Sequence, residues 1–126
     1  MAKQLKRTWR QLLGSHYEAL ALKYLQKRGL ALLYSNYRCK LGEIDLIMQE
    51  GDMLVFVEVR FRKSASHGTA AATVDSRKQA KLRQAARHFL YTHPRYAASA
   101  CRFDVLAVES ATIQPPRINW IPGAFY

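Results

Sequence analysis

Two alternating runs flank a two-residue turn signal, and this arrangement constrains the fold more than any other part of the chain. The first run is Gly42-Glu43-Ile44-Asp45-Leu46-Ile47-Met48-Gln49; the second extends from Met53 to Arg62. Between them stand Glu50-Gly51-Asp52. Alternation with period two is the mark of a strand, and glycine at the first loop position suits a type II′ hairpin turn. With Gly51-Asp52 as the loop, Glu50 pairs with Met53. Counting back along that antiparallel ladder sets Asp45 opposite Glu58 and Glu43 opposite Arg60. Like charges directly opposite on a ladder repel. The usual compensation for two facing carboxylates is a bound cation that takes their oxygens as ligands. This expectation depends on register, because a three-residue loop would turn Glu58 away from Asp45.

Charge narrows the partners. Lys and Arg number 20 against 9 Asp and Glu, for a formal net charge of +11. Such a balance is the footprint of a polyanion binder, with nucleic acid the first candidate and an acidic membrane surface the second. No stretch is long enough to span a bilayer. The Met1–Arg7 end is basic but lacks the apolar run of a signal peptide, so a cytoplasmic location is expected. Cys39 and Cys101 match no zinc spacing and read as reduced core thiols. His16, His67, His88 and His93 form no metal-ligand spacing either.

At 126 residues the chain reads as one domain, with a basic end at 1–8 and an extended tail at 113–126. A helix is predicted from Thr8 to Arg28, with Leu13, Tyr17, Leu20, Ala21 and Tyr24 on its apolar face and Gly29 as its stop. Glu18 lies on the edge of that face. Its favoured partner positions hold Ala21 and Leu22, so any ion-pair partner comes from another element. Leu30–Tyr34 reads as a strand, followed by Asn36–Lys40 and a turn at Leu41-Gly42. In the second hairpin arm Val55, Val57, Val59 and Phe61 point one way, and Phe56, Glu58, Arg60 and Arg62 the other. Ser64–Thr73 reads as a loop. A second helix from Val74 to Tyr91 buries Leu82, Ala85, Ala86, Phe89 and Leu90, and ends at His93-Pro94. Arg102–Val108 is a further strand, and the tail from Ile113 contributes a short one. Helix, three strands, helix and strand in that order predict an α/β fold, a mixed sheet covered by helices.

A helix Glu, then Asp, then Glu-x-basic on consecutive hairpin strands resembles the PD-(D/E)xK nuclease superfamily, and within it the small Holliday-junction-resolvase-like nucleases. Gly42-Glu43-Ile44-Asp45-Leu46-Ile47 with Phe56-Val57-Glu58-Val59-Arg60 looks closer still to the YraN-like family of small bacterial proteins. Asn36-Tyr37-Arg38, Gly68, Lys78 and Arg102-Phe103-Asp104-Val105 extend the resemblance from about Gly14 to Val108. It implies a restriction-endonuclease-like mixed β-sheet flanked by helices, and divalent-metal-dependent phosphodiester hydrolysis on DNA, with branched DNA a candidate substrate. It also implies Mg²⁺ or Mn²⁺ held by Asp45 and Glu58, with Glu18 touching the ion or its water. A homodimer is the assembly that resolvase relatives imply.

The departure is Arg60, where the superfamily usually has Lys. Arg stays charged and cannot act as a base, although it can stabilise an anionic transition state. Lys78 is then a candidate to bring an ammonium into the site from the second helix. Arg62, Lys63, Arg77 and Lys81 are expected to guide a phosphate backbone. Plainer readings stand beside these. Glu43 pairs structurally with Arg60, Asp104 is a strand hydrogen-bonding acid, and Trp9 and Trp120 are packing residues. Arg77, Lys81, Arg83 and Arg87, with Lys78 among them, form a solvated basic face. The alternatives to an enzyme are a non-cutting nucleic-acid-binding module and a basic scaffold subunit of a larger complex.

Overall fold

The computed structural model describes residues 9–63, 71–110 and 115–126, with side chains from Gly14 onward. The basic end at 1–8, most of the loop from Ser64, including His67 and Gly68, the side chains of Trp9 and Leu13, and the first residues of the tail lie outside the described residues. In chain order the elements are α1 (Trp9–Lys27), β1 (Ala31–Cys39), β2 (Gly42–Glu50), β3 (Met53–Arg62), α2 (Ser76–Thr92), β4 (Cys101–Glu109) and β5 (Arg117–Phe125). Short 3-10 turns precede and follow α2, at Ala71–Thr73 and Pro94–Tyr96.

The fold is α/β. Its five strands form one mixed sheet in the order β1-β2-β3-β4-β5, so sequence neighbours are also spatial neighbours. All pairs are antiparallel except β3 and β4, which α2 joins as a crossover. The tail strand β5 is nine residues long, and β1 continues through Asn36 to Cys39.

Two apolar layers sandwich the sheet. On one face α2 sets Leu82, Ala85, Ala86 and Phe89 against Ile44, Ile47, Leu54, Phe56, Val105 and Ala107. On the other, α1 sets Ala21 and Leu25 against Leu46, Met48, Val55, Val57, Leu106 and Val108. β3 therefore alternates as its sequence predicts, valines toward α1 and Phe56 toward α2. Being covered on both faces explains why the central strands read as near-continuous apolar runs.

Two glycines shape the hairpin. Gly51 has φ of +58° while Asp52 is not among the residues with positive φ, which matches a two-residue turn with glycine at its first position. Gly42 is needed for close approach: a Cβ there would stand 2.9 Å from the Lys81 carbonyl oxygen on α2. Cys101 departs from the expected core placement. Both cysteines are free, but Cys101 is exposed because it opens β4 at the rim of the sheet. Among the described residues, no helix is long and apolar enough to cross a membrane.

Candidate functional site

The predicted hairpin register holds from Glu50↔Met53 to Leu46↔Val57, and there the two strands part. The next pair in register would be Asp45 and Glu58, so both acids sit at the mouth of a fork. A second irregularity faces it from β1. Ser35↔Leu46 and Tyr37↔Ile44 keep one register, which sets Asn36, with φ of 53°, opposite Asp45; the register shift between β1 and β2 lies earlier, between Leu32 and Tyr34. Asparagine tolerates that left-handed backbone because its short polar side chain can bond locally. Across from it, β2 changes phase. Ile44 and Ile47, three residues apart, pack in the same α2-side core, which a strand of period two cannot do without a break. Asp45 stands at that break.

In the fork the Asp45 carboxylate replaces a ladder partner. Its Oδ2 accepts the Val59 N–H at 2.8 Å. Burial, then the Glu58 charge, raise the Asp45 pKa to about 7, with Glu18 and Glu43 adding smaller increments and the Val59 bond opposing them. Glu58 is buried, and burial likewise raises its pKa, against the lowering effects of Lys78 and Arg60. Glu18 on α1 is half-buried. Burial raises its pKa; a hydrogen bond from the exposed Asn36 opposes this, and Glu43 adds to the rise. Four acids of a basic chain thus feel one another's charge at one end of the sheet.

Two cations answer them from the α2 side. Lys78 Nζ lies 3.4 Å from Glu58 Oε1, and Arg60 Nη1 lies 3.7 Å from the same oxygen. The start of α2 positions the lysine. Asp75 caps the helix, accepting the Lys78 N–H at 2.8 Å, so Lys78 sits in the first turn beside β3. Arg60 is held in turn, donating through Nη2 to the Thr73 carbonyl at 3.0 Å.

Other predicted partners differ. Glu43 does not pair with Arg60; it lies 3.6 Å from Arg38, its neighbour across the β1–β2 ladder, because β2 has already left β3 at that point. Arg62 is no open surface charge. It lies 3.6 Å from Glu109, its register partner on β4, with both side chains 9% exposed. Lys63, Arg77 and Lys81 are exposed to solvent, and α2 itself contains no acid to neutralise the last two. Sequence reasoning named Asn36 only within the family resemblance and gave it no role; in the structure it takes a left-handed backbone and bonds Glu18. Its signal was an asparagine, a poor strand former, between Ser35 and Tyr37.

Another buried acid lies on β4. Asp104 is fully buried and accepts from Arg102 Nε at 2.8 Å and Nη2 at 3.0 Å, from Trp120 Nε1 at 2.9 Å and from the Gly123 N–H at 2.9 Å. This is the structural role its sequence position predicts, and Trp120 is a packing residue that also bonds Asp104. A cavity of ≈ 500 Å³, lined by Gln49, Asp52, Met53, Arg95 and Tyr96 among others, opens near the hairpin turn. It contains none of the predicted site residues.

Comparison with known proteins gives the chain its relatives. Residues 17–108 match the model described as "Uncharacterised protein family UPF0102", a span that contains Glu18, Asp45, Glu58, Arg60 and Lys78. A UPF0102 protein of Aeromonas hydrophila is 53% identical over 113 residues, 89% of this chain and 83% of that one. Another from Herminiimonas arsenicoxydans is 51% identical over 118 residues, covering 94% and 90%. A third, from Pseudomonas savastanoi pv. phaseolicola, is 47% identical over 121 residues, covering 96% and 98%. On the family match and on identities of this size across nearly the whole chain, the protein belongs to the UPF0102 family.

Proposed function

We propose that this protein is a divalent-metal-dependent nuclease acting on DNA, with the β2–β3 fork as its active site. The observation that carries this reading is the meeting of Asp45 and Glu58 at the point where the strands separate, with Lys78 and Arg60 alongside Glu58. A fold held together by apolar layers gains nothing from two mutually repelling acids; a cation would relieve them. The resemblance to the PD-(D/E)xK superfamily points to the same residues.

The donor chemistry fits Mg²⁺ or Mn²⁺. Carboxylate oxygens are the hard ligands these ions prefer. Among the described residues no three acidic, imidazole or thiol groups converge as a ready cage. Mg²⁺ does not require one, since it keeps several waters and is usually bound through one or two carboxylates plus substrate phosphate. Asp45 and Glu58 would hold the ion, and Glu18 would orient water beside it. When bound, the ion supplies an acidified water and offsets charge at the phosphate. The remaining work falls to the chain. Arg60 donates to phosphate oxygens and, being always charged, takes no proton. Lys78 exchanges its bond to Glu58 for one to the substrate. Lys63, Arg77 and Lys81 neutralise the flanking phosphates, and the substrate enters by way of those exposed cations.

The test is cleavage of single-stranded, duplex, flapped and four-way-junction DNA by pure protein with Mg²⁺ or Mn²⁺. An Asp45→Ala/Glu58→Ala double variant runs in parallel. Turnover by the wild type, lost at least about a thousand-fold in the variant, is the expected result. Cleavage that survives in the variant removes the fork as the active site. A second reading, a nuclease fold that binds without cutting, is favoured by Arg60 in place of lysine. It predicts binding without turnover by either protein, with affinity falling by a log–log slope of roughly −0.9 per phosphate neutralised as salt rises.

A further inference from the structure

On the α1 side of the fork the surface is aromatic. Tyr17 of α1 and Phe61 of β3 stack with ring centroids 4.2 Å apart and planes 12° from parallel, and His16 meets Tyr17 edge-on at 5.5 Å. Phe61 remains 44% exposed, unusual for a phenylalanine already stacked on one face. The pair lies close to the site. Tyr17 precedes Glu18 in the chain, and Phe61 follows Val59, the residue whose N–H binds Asp45, by two positions, about 7 Å along a strand. The exposed Lys63 lies two positions beyond Phe61, while Arg60 turns to the other face of β3, toward Glu58 and the Thr73 carbonyl.

Packing alone accounts for the buried face of this stack, not for the open one. Tyr17 anchors Phe61, which fixes its ring before any ligand arrives. A rigid, open aromatic face on a strongly basic chain suits a ligand that carries both negative charge and planar rings. In a chain of net charge +11, that ligand is a nucleic-acid strand. The cations take phosphates and the ring takes a base, the combination used by single-strand binders. A continuous duplex cannot use the ring, because its base faces are hidden in the stack.

We infer that Phe61, steadied by Tyr17, is a stacking platform for an unpaired base next to the fork, so that the substrate class is single-stranded or locally unpaired nucleic acid. This rests on the nuclease reading only for the use made of the bound strand. The binding claim stands separately and is tested without turnover.

Fluorescence anisotropy, with EDTA present, compares a labelled mixed-sequence DNA strand with the corresponding duplex. The wild type is expected to prefer the single strand. Phe61→Leu, which keeps an apolar contact with Tyr17, is expected to lose single-strand affinity by about five-fold or more, the low end of what one base stack contributes. Its duplex affinity should stay within about two-fold, and Phe61→Tyr should restore the preference. Phe61→Trp offers a direct readout, with its indole fluorescence quenched by the single strand and not by the duplex. Equal losses on both DNAs, an unchanged Phe61→Leu, no quenching in Phe61→Trp, or no binding by the wild type would each overturn the platform. The two readings fail separately. Metal-dependent cleavage with an unchanged Phe61→Leu leaves a nuclease without the platform. A Phe61-dependent strand preference with no cleavage leaves the platform without the nuclease.

Discussion

Asp104 and Asp45 are acids set into the same apolar sheet, in opposite surroundings. Asp104 is fully buried and meets donors at every turn: two guanidinium nitrogens of Arg102, the Trp120 indole and the Gly123 amide. Arg102 extends the network to Glu50 at 3.1 Å. Asp45 accepts the Val59 amide, and the charges acting on it are those of Glu58, Glu18 and Glu43. One acid ties β4 to β5 and the hairpin end. The other costs stability at a place where the strands already part. A buried charge supplied with partners is structure, whereas an acid held among like charges marks a site kept for something not of the fold.

The largest test of this contrast is Asp104→Ala. Removing Asp104 leaves Arg102 with Glu50 alone and strips the buried Trp120 indole and Gly123 amide of their acceptor, and a loss of about 3–5 kcal/mol is expected in urea unfolding. A loss under about 1 kcal/mol would mean that the network does not hold the sheet and would dissolve the comparison.

Asp45→Asn should act in the opposite sense. The folded pKa of about 7 stands above the ordinary 3.8, so between those values the folded chain holds a proton that the unfolded chain has released. Stability therefore falls as pH rises from about 4 to about 7, and the full cost is present at pH 8. Asparagine keeps an acceptor for the Val59 amide and carries no charge. It should stabilise the protein by about 1–2 kcal/mol at pH 8, the shift being discounted for partial exposure to water, with the gain shrinking toward pH 4. A destabilised Asp45→Asn at pH 8 would place Asp45 with Asp104 as a structural acid.

Metal sharpens the same point with a smaller effect. On the proposed reading, Mg²⁺ would compete with the Asp45 proton. Its addition should raise the thermal midpoint of the wild type by a few degrees at pH 8 and by less at pH 6, and leave Asp45→Asn unmoved. Equal shifts in both proteins would assign the ion to another place. The smallest effect is expected at the Arg38–Glu43 pair. Both side chains are well exposed, and a double-mutant cycle should return a coupling no larger than about 0.5 kcal/mol. A larger value would make Glu43 a structural acid like Asp104 rather than a source of charge at the fork.

Both helices, the buried face of α2 and the hairpin register as far as Leu46↔Val57 were legible in the chain, because period, turn chemistry and stop signals are local; on α1 the fully buried Leu25 was left off the apolar face. The Gly51-Asp52 loop fixed parity, and parity brought Asp45 and Glu58 to one place. The Glu43–Arg60 pair was misjudged because the ladder was extended past Leu46↔Val57, where the strands separate. Arg62 looked like an open phosphate contact until Glu109, 47 positions along the chain, proved to be its register partner.

The amino-acid sequence by itself determined the α/β class, the strand order along the hairpin, the surplus of positive charge and the few acids set against it. Those properties follow from residue type and spacing over a few neighbours. Only the tertiary structure decided which acids are satisfied and which are not. That outcome depends on where β2 leaves β3, on the left-handed backbone of Asn36, and on α2 returning Lys78 to Glu58 from 20 positions away. Burial and charge are sums over everything close in space, and closeness between distant residues is what folding creates.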